Sequence, residues 1–208
     1  KMPDTANIYY IFTTDAISQT SKGFHYSVVD MNLDNGKGMV TSSKNISVDT
    51  AAAEKLCVVG HQNGNDFWVV TKVDEADTYK VYLLDSNGFD TSAIVNNIGS
   101  AINLSSGYLK ASPDGKRIAG AYNIGPTSYA AFADHVIELF DFNNSNGVFS
   151  NYVSLLDHSY YSKFYGVEFS PSSNILYASD NDNIYQYDLL APTAAAINAS
   201  RKKIAAGI

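Results

Sequence analysis

Short runs rich in tyrosine, valine, isoleucine and phenylalanine recur along the chain, separated by clusters of Asn, Asp, Ser and Gly. Runs of this kind read as strands and clusters of this kind as turns. The segment Leu109–Ala119 aligns without a gap with Val167–Tyr177, and each reads as a short strand, a Ser-Pro turn and a second strand. Pro presets φ for a turn, Ser and Asp bond back to the local backbone, and Gly accepts positive φ, so Ser112-Pro113-Asp114-Gly115 reverses the chain into an antiparallel partner. Val58–Val70 is a weaker copy with Asn63-Gly64 at the turn. A third strand ending in Asp follows in each unit: Tyr26–Asp30, Val81–Asp85, Ile137–Asp141 and Ile184–Asp188. The first three lead to Asn-Gly turns at 35–36, 87–88 and 146–147, and the fourth runs into Ala191-Pro192.

Four strands in a unit of roughly 50 residues is the spacing of propeller blades. The pattern predicts an all-β chain, a β-propeller of about four blades of four antiparallel strands, at about 7–48, 52–104, 107–156 and 165–206. Its inter-sheet core should use Tyr10, Phe12, Val28, Trp68, Val70, Tyr82, Leu84, Ile118, Leu139, Phe169, Leu176 and Tyr187. Residues 123–134 read as an expanded loop at a propeller face. The alanines of 194–206 favour helix on propensity, but the repeat puts a fourth strand there, and an irregular outer strand is expected. Ile8–Thr13 resembles a second strand whose first strand is missing. The chain is therefore expected to be an incomplete part of a larger propeller, with the remainder of the parent chain or another chain covering its end blades.

Composition narrows the partners more than it changes the fold. Tyr (15) and Phe (10) are abundant and charged residues make up 17%, as expected of many strands joined by tight turns. A formal net charge of −7 repels polyanions, so nucleic acid is not an expected partner, and Arg201-Lys202-Lys203 reads as a solvated turn or strand edge. The single cysteine, Cys57, sits in an apolar run, so the fold relies on burial and hydrogen bonds. No apolar run reaches membrane-spanning length, and direct membrane insertion is not expected.

Candidate chemistry is sparse. His25, His61, His135 and His158 fall in different units without metal-ligand spacing, and no nucleophile-elbow, Walker or dinucleotide pattern is present. Asp180 and Asp182, in the turn Asp180-Asn181-Asp182-Asn183, are the candidate metal ligands, for calcium, because alternating oxygen donors could wrap a hard cation. No other cofactor is expected. First strands of blades line a propeller's channel, where Lys110 and Glu168 fall at matching repeat positions; with His61 they are the candidate ligand-binding residues. Tyr160, Tyr161 and Tyr165 could stack on sugars or pack between blades.

The segments Ala6–Asp15, Tyr26–Met31, Tyr108–Gly115, Glu138–Phe142 and Tyr165–Pro171 together resemble the propeller region of Bacteroidetes surface proteins that carry a gliding-motility-type C-terminal domain for type IX secretion with type B sorting. They are similar also to WD- and YVTN-type propeller repeats. The resemblance spans nearly the whole chain, and departs from the family turn at Ser172-Ser173. The leading reading is a non-catalytic binding or scaffold module that contacts protein or glycan, and the resemblance implies secretion or cell-surface display and a longer parent protein. The resemblance carries no catalytic residue onto this chain. The rival reading is an enzyme at the channel mouth, such as a lactonase-like hydrolase or a lyase, because propellers host such chemistry.

Overall fold

The computed structural model describes residues 1–16, 23–101, 105–124, 135–157 and 164–207, and their strands form four antiparallel sheets in chain order. In the first sheet β1 (Ile8–Thr14) pairs with β2 (Phe24–Asp30), and β2 pairs further out with both β3 (Met39–Val40) and β4 (Ile46–Asp49). A short helical turn, α1 (Leu33–Gly36), links β2 to β3, interrupted by positive φ at Asp34 and Asn35. The second sheet runs β5 (Ala52–Gly60), β6 (Phe67–Val73), β7 (Thr78–Asp85), with β8 (Gly88–Phe89) and β9 (Ile94–Asn97) sharing the outer edge of β7. The third sheet has β10 (Ser105–Ser106) and β11 (Leu109–Ala111) sharing the inner edge of β12 (Arg117–Ile124), followed by β13 (His135–Asn143) and β14 (Val148–Asp157). The fourth is β15 (Gly166–Phe169), β16 (Ile175–Ser179), β17 (Asn183–Asp188) and β18 (Lys202–Ala206), with α2 (Ala194–Ala199) between the last two.

The turns that start the third and fourth sheets are closed by their own side chains. Ser112 Oγ accepts from Arg117 N at 2.9 Å and donates to Asp114 Oδ1 at 2.6 Å, while Gly115 takes φ 68°. In the fourth sheet Ser170 Oγ accepts from Ile175 N at 3.1 Å, and Ser173 occupies the glycine's left-handed position at φ 61°. The turn survives without Asp-Gly because the serine hydroxyl does the closing and the strained residue is small.

Alternate residues of each central strand enter opposite cores, as a pleated strand buried on both faces requires. Val69 packs toward the first sheet with Phe24 and Tyr82, whereas Trp68 and Val70 pack toward the third with Ile118, Phe140 and Phe149. Leu139 and Ile137 point the other way and meet Val167, Phe169, Leu176 and Tyr187 of the fourth sheet. Nine of the twelve expected core residues are buried; Tyr10, Phe12 and Val28 of the first sheet are only half-buried. That sheet is covered on one face, and Tyr9 and Ile11 on its other face are 39% and 47% exposed.

The tail differs from the expected irregular strand. Thr193 Oγ1 accepts from Ala196 N at 3.1 Å and caps α2, so the alanines take the helix their propensity favours. The chain then resumes as the outer strand β18. The expected loop at 123–134 lies largely outside the described residues. Among the described residues no helix is long and apolar enough to cross a membrane.

Candidate functional site

The inner strands β5, β11 and β15 lie side by side and form a rim. There the structure brings two of the expected residues together: Lys110 Nζ of β11 and a Glu168 carboxylate oxygen of β15 form an ion pair at 2.8 Å, both partly exposed. Two tyrosines that precede these strands stand beside the pair. Tyr108 is 51% and Tyr165 44% exposed, their ring centroids are 5.5 Å apart at 57°, and Lys110 Nζ lies 5.5 Å from the Tyr108 ring centroid. Backbone bonds hold the two residues in place: Tyr108 N donates to Tyr165 O at 2.8 Å, Ala121 N to Tyr108 O at 2.9 Å and Tyr165 N to Ser179 O at 3.0 Å. Gly107, at φ 115°, permits the approach, since a Cβ there would sit 2.6 Å from Ala121 O and 3.0 Å from Tyr165 O.

Behind this rim a polar network is sealed between the second and third sheets. Lys55 and Lys72 are each 1% exposed and Glu138 is 0% exposed. Lys55 Nζ donates to Gly107 O at 2.7 Å and lies 4.8 Å from the Tyr122 ring centroid. Lys72 Nζ donates to Ala76 O at 2.6 Å and Ser100 O at 2.9 Å. Glu138 accepts from Tyr79 OH at 2.7 Å and Ser100 N at 2.6 Å, and the hydroxyls of Tyr79 and Tyr122 touch each other. Burial pushes the Lys55 ammonium down to about 7, against the opposing pull of Glu54, and lowers Lys72 as well. Burial, reinforced by Glu138, raises both tyrosines well above their ordinary value. Every one of these groups is spent on a carbonyl, a ring or another member of the network. The arrangement clamps the two sheets and anchors the segment that carries Tyr108.

The remaining candidates lie elsewhere. His61 sits in the β5–β6 turn, where its Nδ1 accepts from Asn63 N at 3.0 Å and its ring packs 5.2 Å from that of Trp68. It lines a cleft of about 1110 Å³ with Asp114, Arg117, Asp141, Asn144 and Ser173, at the end of the sheets where the Ser-Pro turns are. Asp180 lies in the β16–β17 turn, and its two oxygens accept from Asp182 N, Asn183 N, Asn183 Nδ2 and Tyr185 OH. Calcium there would have to compete with the donors that close the turn. Among the described residues no group of three His, Cys, Asp or Glu side chains could hold a metal ion. Burial pushes the Cys57 thiol up to about 12, which removes the thiolate. His158, Tyr160 and Tyr161 lie outside the described residues.

Sequence reasoning missed Tyr108 and the buried network. A signal existed for the lysines: Lys55 and Lys72 interrupt the apolar runs Ala51–Val59 and Phe67–Val73. Buried strands carry such residues only when paired.

No protein-family model and no curated protein matches the sequence. Solved structures do. The periplasmic gluconolactonase PpgL of Pseudomonas aeruginosa is similar with a TM-score of 0.58 and 16% identity, over 91% of this chain and 52% of that one. A Bacteroides uniformis protein assigned as a 6-phosphogluconolactonase matches with a TM-score of 0.55 and 14% identity, over 94% and 50%. A chain of a nidogen–laminin complex matches with a TM-score of 0.51 and 12% identity, over 94% and 60%. The fold is that of a β-propeller. This chain spans 50–60% of the length of these structures, and at such identities the likeness concerns the fold alone.

Proposed function

We propose that this chain is a non-catalytic propeller module that binds a protein or glycan at its inner rim, within a secreted or surface-displayed bacterial protein. The observation that carries the reading is the exposed cluster of Tyr108, Tyr165, Lys110 and Glu168. Its charged groups neutralise each other and its two aromatic rings are about half exposed, which suits contact better than proton transfer. The strongly perturbed titratable groups, by contrast, sit between sheets where a substrate has no access. The resemblance to gliding-motility-associated surface propellers supports an extracytoplasmic setting, and the periplasmic neighbour is compatible with it. The uncovered face of the first sheet, with Tyr9, Ile11 and Val40 exposed, is where further parent chain or another chain would pack.

The test is an assay of the full chain on gluconolactone and related lactones beside binding measurements with glycans and proteins. The expected outcome is no turnover above background in the native protein. Lactone hydrolysis that falls at least about tenfold in E168Q would overturn the proposal in favour of a channel-mouth enzyme.

A further inference from the structure

Building on the reading of the rim as a contact surface, we infer that Tyr108, Tyr165, Lys110 and Glu168 form a subsite for one ring of a neutral saccharide. Tyrosines elsewhere in the chain show what this pair is not doing. Tyr79, Tyr82, Tyr122 and Tyr187 are each buried to 2% exposure or less and fill the inter-sheet cores, whereas Tyr108 and Tyr165 turn about half their surface to solvent. Their rings are tilted at 57° with centroids 5.5 Å apart, so they form an open corner and not a closed stack. A pyranose has one comparably flat face of C–H groups, which fits against an aromatic face, and a periphery of hydroxyls.

The polar half of the corner matches that periphery. A hydroxyl both donates and accepts, and the Lys110–Glu168 pair offers an ammonium donor beside a carboxylate acceptor 2.8 Å apart. Because the pair is internally neutral, it attracts neither sign of ligand strongly. An acidic ligand would also meet the chain's formal charge of −7, and a cationic one would have to displace Lys110 from Glu168. An uncharged polyol meets neither cost.

The corner is also built before any ligand arrives. The bond from Tyr108 N to Tyr165 O ties the two tyrosines across sheets, Gly107 lets the backbones approach, and the buried Lys55 grips Gly107 O from behind. Preorganisation of this kind lowers the ordering cost of binding. A peptide ligand would favour a deeper apolar groove, so a protein partner is the alternative outcome of the test.

The experiment titrates the full chain with a panel of neutral gluco-, manno-, galacto-, xylo- and N-acetylglucosamine oligosaccharides, followed by NMR and calorimetry. At least one is expected to bind. Y108A and Y165A should each weaken it about tenfold or more, Y108F by less than about threefold, and Y9A, at an exposed tyrosine of the first sheet, not at all. Changing salt from low to high should alter the affinity by less than about twofold, a readout that does not depend on the alanine variants folding. No binding across the panel at millimolar concentration, equal binding by Y108A, Y165A and the parent, or steep salt dependence would each overturn the inference. A protein ligand lost in Y108A would overturn it too while leaving the binding-module reading intact; only lactone turnover bears against that reading.

Discussion

Lys55 places an ammonium where water does not reach, and the cost is set by its surroundings rather than by its own strand. Lys72, Glu138 and Tyr122 face it from β6, β13 and β12, and Glu54 is its neighbour on β5. Its folded-state value near 7 lies below its ordinary 10.5, so between these the unfolded chain holds a proton that the folded chain lacks. Stability should therefore rise with pH above 7, by at most about 1.4 kcal/mol per pH unit from this residue, with Lys72 adding in the same direction. Above about pH 8.5 the raised Cys57, and above about pH 10 the buried tyrosines, work in the opposite sense, because the unfolded chain then releases protons that the folded chain keeps. Urea unfolding of the parent and K55M at several values between pH 7 and 8.5 checks this. The slope should flatten in K55M, and the variant should be about 1–3 kcal/mol less stable than the parent at pH 8.5, since the buried carbonyl of Gly107 loses its donor. An unchanged slope would mean that Lys55 stays charged in the folded protein.

At the scale of elements, the segment between β10 and β11 holds Tyr108 where it is. Gly107→Ala would force a side chain into a left-handed conformation and into the carbonyl oxygens of Ala121 and Tyr165. The expected loss is about 2–4 kcal/mol, read by denaturant unfolding, and any ligand of the Tyr108–Tyr165 corner should bind more weakly. Preserved stability would show that the segment can relax. Element identities were largely legible beforehand: strands announced themselves by alternation, and turns such as Ser112–Gly115 by residues whose side chains close them locally. The tail was not, because helix propensity and repeat position competed over 194–206, and the chain satisfies both in succession through the Thr193 cap. The inner cluster was half legible. Lys110 and Glu168 share a repeat position, but Tyr108 meets Tyr165 only because two sheets pack side by side.

Across the whole molecule, stability should be graded from the two central sheets toward the ends. Cores separate consecutive sheets, so the second and third sheets are buried on both faces while the first is covered on one. Repeat arrays draw much of their stability from such neighbour interfaces. Hydrogen exchange should find the bonded amides of β1 and β2 opening at least about tenfold faster than those of β12 and β13. Uniform protection would indicate that the exposed face of the first sheet is covered in solution. The sequence by itself determined the strands, the tight turns, the repeat and thus the all-β propeller class, because alternation and turn chemistry act over a few neighbouring residues. Only the tertiary structure decided which polar residues are sealed and which are offered to solvent. Lys55 meets the carbonyl of Gly107 52 residues away, and Lys110 meets Glu168 across two sheets; such pairings follow from how sheets pack, which local pattern does not encode.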